Sequence, residues 1–190
     1  MKKILFAAIA LLTGVASHGQ SSVYKIDPSH TRAIWEAKHF ATSTNRGQWD
    51  KTDGEITLDK AAKTGKVDVV IDMTSVNTGS APFNTHLKGP DFFDVTNHPT
   101  ARFVSDKLKF EGDKLVEVTG NMTILGKTNP AVLKASLYNC YENPRLKREV
   151  CGGDFETVVK RSQYGLNWGI AEKLTSDDIK VTIQVEAVKQ

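Results

Sequence analysis

The stretch 179–187 is Ile179-Lys180-Val181-Thr182-Ile183-Gln184-Val185-Glu186-Ala187, an uninterrupted alternation of apolar and polar residues. Successive side chains of a β-strand point to opposite faces, so all the apolar side chains of this stretch share one face. The pattern predicts a strand with one face buried and the other face in water.

The same period of two recurs through most of the chain. It is clear in 67–73, with Val67, Val69, Ile71 and Met73, and in 116–124, with Val116, Val118, Met122 and Ile124. Shorter runs occupy 33–40, 54–58, 101–110, 130–138 and 155–163, with Gly, Asp, Asn and Pro clusters between them. The fold class is therefore predicted to be all-β, with about eight antiparallel strands joined by hairpins in a closed barrel or a sandwich.

One stretch departs from the strand pattern. Residues 80–93 carry Pro82, Phe83, Leu87, Phe92 and Phe93 at roughly helical spacing, which predicts a short helix over the barrel or in one of its ends. Adjacent side chains cannot both face one core along a regular element, so Phe92 and Phe93 are expected to divide between the rim and the helix underside. Two roles are open for Phe92 and Phe93: ordinary packing, or gating of a cavity.

The N-terminus has the plan of a secretory signal peptide. Lys2 and Lys3 precede the apolar run 4–12, and the small residues Ala16, Ser17 and Gly19 offer a cleavage site. We therefore predict a signal peptide over residues 1–19 and export to the periplasm. The apolar run is too short to span a bilayer and no second long one follows, so the mature chain is expected to have no integral membrane segment.

The mature chain is expected to form a single domain over residues 22–190, since it contains no repeat or linker. Removal of Lys2 and Lys3 with no acidic residue lowers the formal net charge from +3 to +1. A nearly neutral chain with both signs interspersed does not favour nucleic acid as a partner.

Cys140 and Cys151 are the two cysteines of the chain. In an exported protein such a pair predicts a disulfide, here one that closes a surface loop. The spacing excludes a redox-active CxxC motif, and the further ligands of a zinc site are not apparent nearby.

No motif for a cofactor, a metal or catalysis is complete. Gly120 and Gly126-Lys127-Thr128 resemble a phosphate-binding loop, but five residues separate the glycines where the motif needs four. The mature histidines form no metal-binding motif, and Ser29-His30 has no nucleophile elbow around it. We predict no cofactor, no metal and no enzymatic activity.

His39 continues the face that carries Ala33, Trp35 and Ala37, so its side chain is expected to point inward. Two interpretations are open: a core histidine bonded to a neighbouring strand, or a polar anchor for the head of a ligand.

An ordered series of segments resembles the polyisoprenoid-binding YceI-like family of lipocalin-like periplasmic proteins. They are Tyr24-Lys25-Ile26-Asp27-Pro28-Ser29-His30, Trp35 to His39, 54–59, 75–79, His86-Leu87-Lys88-Gly89-Pro90-Asp91-Phe92-Phe93, 120–126 and Lys160-Arg161-Ser162-Gln163-Tyr164-Gly165. Each segment alone is weakly specific, but together they cover nearly the whole mature chain in order. The cysteine loop is an addition to the simplest family members, and whether it affects the cavity is open.

The resemblance implies an extended, antiparallel lipocalin-like β-barrel whose apolar cavity binds an isoprenoid or another long-chain lipid, and a possible homodimer. Carried over residue by residue, it assigns nine ligand-binding candidates at the wall or mouth: Trp35, His39, Phe83, His86, Leu87, Phe92, Phe103, Met122 and Phe155. His39 and His86 are the candidates for contact with a ligand head.

Three classes of function are consistent with these patterns. A lipid or quinone carrier is favoured, a structural or stress-related periplasmic barrel with a filled core is the alternative, and an enzyme acting on a bound isoprenoid is third. Interior volume separates the first two, because Trp35, Phe103 and Phe155 could fill the barrel as readily as line it. The enzyme would need at least two polar side chains that converge in the cavity.

Overall fold

The computed structural model describes residues 20–190, and the predicted signal peptide, residues 1–19, lies outside them. The described residues form one α-helix, α1 (Ala81–Lys88), and a set of antiparallel strands. The strands are β1 (Ser22–Ile26), β2 (Arg32–His39), β3 (Ser43–Trp49), β4 (Thr52–Asp59), β5 (Thr64–Asp72), β6 (Val76–Asn77), β7 (Thr100–Glu111), β8 (Lys114–Ile124), β9 (Lys127–Asn143), β10 (Arg148–Lys160) and β11 (Thr175–Lys189). Short 3-10 turns occupy Met73–Ser75 and Arg161–Tyr164.

The strands close into an antiparallel barrel. Hydrogen bonds follow the order β1-β4-β5-β7-β8-β9-β10-β11, and β11 then pairs with β1. The wall continues beyond β1, β4 and β5 with the strands β2, β3 and β6. The first of these, β2, pairs with β11 over Gln184 to Thr175. The prediction of an all-β barrel of eight antiparallel strands with one short helix is confirmed, and the sandwich is excluded.

The two ends of the barrel differ. Strand direction places α1, the turn 40–42, the turn 125–126 and the segment 161–174 together at what we call the helix end. The turns 60–63, 112–113 and 144–147 lie at the opposite end, which we call the disulfide end.

The predicted alternation sets the inward faces of most strands. Val67, Val69, Ile71 and Met73 all face the barrel interior, as do the apolar residues of 179–187. One position departs from the predicted alternation. Val116 does not line the interior, whereas Leu115 and Val118 do. The cause is a shift in the register of the β7–β8 pair between Lys109 and Phe110.

The run predicted as a strand over 155–163 also ends early. β10 stops at Lys160, and Arg161–Tyr164 forms a 3-10 turn that ends at Gly165 with a positive φ of 87°. Glycine adopts this left-handed conformation without a steric penalty, so the chain can leave the wall there.

Helix α1 is shorter than the predicted span of 80–93. It has a proline in its first turn, and it ends at Lys88, followed by Gly89 in an extended conformation with ψ of 172°. Pro90 explains this end, because a residue before proline is driven out of the helical region and proline has no amide donor. Leu87 is buried and anchors the helix to the barrel.

The predicted disulfide between Cys140 and Cys151 is confirmed, but it does not close a surface loop. The two cysteines are direct cross-strand partners in β9 and β10, 4.0 Å apart between their Cα atoms. Cys151 is only 7% exposed and packs at the disulfide end with Tyr24, Ile26, Leu58 and Ala187.

A polar contact lies beside this cluster. The Tyr24 hydroxyl donates to the carboxylate of Glu149, which also accepts from Lys60. Burial would raise the pKa of Glu149, but the hydrogen bonds from Lys60 and Tyr24 outweigh it and lower that pKa. The disulfide end is thus held by apolar packing, a covalent bond and a paired carboxylate.

Within residues 20–190, no helix has the length and apolar character needed to cross a bilayer.

We expect the double substitution Cys140→Ser and Cys151→Ser to lower the free energy of unfolding by about 2–3 kcal/mol, because the crosslink restricts the unfolded chain. Denaturant titration of the oxidised wild type and the variant measures this difference. An unchanged midpoint with an unchanged m-value would show that the crosslink contributes nothing to stability.

Candidate functional site

The barrel interior contains a cavity of about 310 Å³. It extends from Tyr24 and Cys151 near the disulfide end to His39, His86 and Trp168 at the helix end. Every strand from β1 to β11 except β6 contributes to its wall, and the wall is almost entirely apolar. An enclosed apolar volume of this kind suits a hydrocarbon chain, and it lies near the lower end of the roughly 300–1,000 Å³ of typical ligand pockets.

All nine sequence-predicted candidates lie on this wall. They are Trp35, His39, Phe83, His86, Leu87, Phe92, Phe103, Met122 and Phe155. The large residues Trp35, Phe103 and Phe155 therefore line the barrel without filling it. Contact between these residues and a ligand remains a prediction.

Two glycines make room for the rings on the wall. A Cβ on Gly47 of β3 would lie 2.5 Å from Cζ2 of Trp35, and a Cβ on Gly120 of β8 would lie 2.7 Å from Cζ of Phe103. Each ring therefore occupies space beside the neighbouring strand that the side chain of any residue larger than glycine would fill at position 47 or 120. This placement keeps the rings against the wall and away from the middle of the barrel.

An aromatic cluster surrounds the helix end. The ring of His86 lies 4.7 Å from that of Phe92 and 5.9 Å from that of Trp168, and Phe92 and Trp168 are 5.1 Å apart. Trp168 is 42% exposed, so this cluster forms the boundary between the cavity and water. We call His86, Phe92 and Trp168 the mouth cluster.

Phe92 and Phe93 both line the cavity, but their aromatic neighbours differ. Phe92 belongs to the mouth cluster, whereas Phe93 packs on Trp49 with ring centroids 5.4 Å apart.

His39 points inward, as its position in β2 indicates, but it is not a core histidine. It lies at the last position of β2, where its side chain is exposed at the helix end of the cavity. The interpretation of a buried histidine bonded to a neighbouring strand is wrong, because the wall ends there.

Three polar groups of the wall are buried without a partner in residues 20–190. They are Nε1 of Trp35, Nε1 of Trp49 and Oγ1 of Thr52. A buried group of this kind costs about 1–3 kcal/mol when it is unsatisfied. An acceptor on a bound molecule could satisfy such donors.

Arg161 is the functional candidate that sequence reasoning did not single out. Arg161 lines the cavity at the helix end and is buried, and its guanidinium donates to the backbone oxygens of Leu166, Trp168 and Ser176. Burial lowers the pKa of Arg161, and Asp177 opposes this effect. The segment 160–165 had contributed to the family resemblance, but nothing in its sequence shows that Arg161 reaches the interior.

One group of potential metal ligands lies in the described part of the chain. Cys140, Glu149 and Cys151 have ligand atoms within 4.8 Å of one another. Both sulfurs belong to the disulfide and cannot act as thiolate ligands. This group is therefore a structural crosslink beside an ion pair.

Comparisons with known proteins agree with this fold. The YceI-like domain matches residues 24–187. The chain belongs to the YceI-like domain family. A UPF0312 protein of Pseudomonas putida is 33% identical over 195 residues that cover 100% of both chains, and one of Pseudomonas aeruginosa is 32% identical over the same coverage.

Solved structures of this YceI-like fold are similar along most of their length. The Campylobacter jejuni YCEI protein matches with a TM-score of 0.71 at 29% identity, covering 80% of this chain and 90% of that one. A polyisoprenoid-binding domain from Saccharophagus degradans matches with a TM-score of 0.62 at 17% identity, covering 88% and 98%. The second likeness is one of fold alone.

Gly47→Ala tests the packing of Trp35 in this YceI-like barrel. We expect the added methyl to push the indole toward the cavity, lower the free energy of unfolding by about 1–3 kcal/mol and shift the tryptophan fluorescence emission. Gly112→Ala is the control, because its added Cβ has no atom within 4 Å. Gly112 has a φ of 59°, so the control loses some stability, but its emission should match that of the wild type. Unchanged emission and stability in Gly47→Ala would contradict the packing described here.

Proposed function

We propose that this YceI-like protein binds one isoprenoid, quinone or similar long amphiphilic lipid in its barrel and carries it through the periplasm without chemical change. The observation that carries this proposal is the enclosed apolar cavity, which has a mouth at one end and a covalently braced wall at the other.

The physical need for such a cavity follows from the transfer of hydrocarbon. Each methylene group removed from water contributes about 0.8 kcal/mol, so a free isoprenoid tail is strongly unfavourable in an aqueous compartment. A closed barrel satisfies all backbone hydrogen bonds within the wall and leaves its inward side chains free to contact a tail. Reactive groups are not needed for this task.

Two further observations support the proposal. The polyisoprenoid-binding domain of Saccharophagus degradans has the same fold. The predicted signal peptide and the disulfide are both consistent with an oxidising compartment outside the cytoplasm.

The alternatives are less well supported. A filled structural barrel does not account for a cavity of about 310 Å³. For an enzyme acting on a bound isoprenoid, the wall contributes no carboxylate, and neither His39 nor His86 hydrogen-bonds another side chain in residues 20–190. The homodimer implied by the family resemblance stays a prediction, and the carrier role does not require it.

A matched pair of valines tests where the lipid binds. Val181 of β11 faces the cavity and is 8% exposed, whereas Val158 of β10 faces water and is 62% exposed. We expect Val181→Phe to weaken the binding of geranylgeraniol by about 10-fold or more, because the ring occupies the volume needed by the tail. Isothermal titration calorimetry measures the affinity.

Val158→Phe adds the same atoms on the outer face and should bind geranylgeraniol like the wild type. Equal affinity of wild type and Val181→Phe would place the lipid outside the cavity and overturn the proposal.

A further inference from the structure

The turns at the two ends of the barrel differ in their side chains. The turns 60–63, 112–113 and 144–147 of the disulfide end each contain a charged residue, whereas the turns 40–42 and 125–126 of the helix end contain none. The sequences at the helix end are Phe40-Ala41-Thr42 and Leu125-Gly126. The helix end therefore presents apolar side chains at positions where hairpin turns usually have small or polar residues.

Phe40 occupies its turn position at a conformational cost. The backbone nitrogen of Thr42 donates to His39 O at 2.9 Å, and the central residues Phe40 and Ala41 have φ of 49° and 54°. Positive φ at both central residues is typical of a type I′ turn, which favours asparagine and glycine. Phe40 is also 55% exposed, so burial in the core does not offset this cost. Residues held in such conformations cluster at functional sites.

The second turn of the helix end repeats this feature. Leu125 is half-buried and has φ of 49°. Among residues 20–190, the non-glycine residues with positive φ in the turns of the disulfide end are Lys63 and Lys147. Large apolar residues thus occupy left-handed turn positions at the helix end, and lysines occupy them at the other end.

The exposed aromatic side chains are continuous with the cavity. The ring of Phe40 lies 4.7 Å from that of His39, which lines the cavity. The backbone nitrogen of Phe40 donates to Leu174 O at 2.9 Å, and this bond places the turn 40–42 against the segment that carries Trp168. Phe40 and Trp168 therefore lie beside the opening of the cavity, and both are exposed.

A bilayer surface fits this arrangement. Aromatic side chains are enriched where membrane proteins meet the membrane–water interface. Each methylene group that passes through water is unfavourable, so a long-chain lipid exchanges most readily when the opening lies against the bilayer. The charges of Glu172 and Lys173, in the segment beside Phe40, offset each other. This segment therefore brings no net charge to the interface.

We propose that the helix end docks on the surface of a lipid bilayer, with Phe40 and Trp168 in the interfacial region, and that the barrel takes up and releases its lipid in this docked state. The inference rests on the proposed lipid-binding function and adds the partner with which the protein exchanges its lipid.

The test uses vesicles of dioleoylphosphatidylcholine, which have no net charge, so that electrostatic adsorption does not contribute. We expect the wild type to sediment with these vesicles. Trp168 is the exposed tryptophan of the chain, because Trp35 and Trp49 are buried. Quenching of the tryptophan emission by aqueous iodide should therefore fall when vesicles are added. Both measurements use the wild type, so they do not depend on the folding of a variant.

Phe40→Asn should lower the vesicle partition coefficient about 10-fold, because the phenyl ring no longer leaves water on docking. It should not lower the denaturation midpoint, since asparagine tolerates the left-handed conformation better than phenylalanine does. A purely structural role of Phe40 would give the opposite pair of results. Leu146→Asn is the matched control, because Leu146 is a 45% exposed turn residue of the disulfide end. It should keep the wild-type partition coefficient.

The outcomes are distinguishable. Vesicle association that Phe40→Asn weakens and Leu146→Asn retains supports the inference. A wild type that binds geranylgeraniol but not vesicles would overturn the inference and leave the proposed function intact. Association that both variants retain, or that both weaken equally, would overturn the assignment to the helix end. A dimer that ignores vesicles and that Phe40→Asn dissociates would assign this surface to a second copy of the chain and also overturn the inference. Failure to bind geranylgeraniol would overturn the proposed function and the inference together.

Discussion

The structure depends on one pairing, in which β11 is hydrogen-bonded to β10 on one side and to both β1 and β2 on the other. This pairing turns an open sheet with two edges into a closed wall. Closure removes the edges and gives all inward side chains a common interior. The alternation over 179–187 therefore determines more than one strand, because it supplies part of the cavity wall and also completes the barrel.

Closure alone does not decide whether a barrel of this size is filled or hollow. Here the decision depends on small residues next to large ones. Gly47 lets the Trp35 indole lie against β3, and Gly120 lets the Phe103 ring lie against β8. The remaining space is bounded by braced packing at the disulfide end and by the mouth cluster at the helix end. The two ends of the cavity therefore differ, with apolar packing and a disulfide at one end and partly exposed aromatic side chains at the other.

Strand alternation made much of the wall predictable, and its limits have physical causes. Val67 and Val181 were placed correctly because side-chain direction in a regular strand is a local property. Val116 was misplaced because the register shift in the β7–β8 pair depends on the partner strand, which a single sequence does not show. The burial of Arg161 was not predictable for a similar reason, since its hydrogen-bond partners are backbone oxygens of residues 166, 168 and 176. Interior volume could not be predicted, because the same residues can fill or line a barrel.

The most direct test of the account is native mass spectrometry, with lipid extraction, of the protein purified from its native cells without detergent. The account predicts one discrete long-chain lipid per protein chain, released intact on extraction. Protein that is isolated without lipid, and that also takes up no added polyprenol or quinone, would contradict the carrier function and favour a barrel with a structural role.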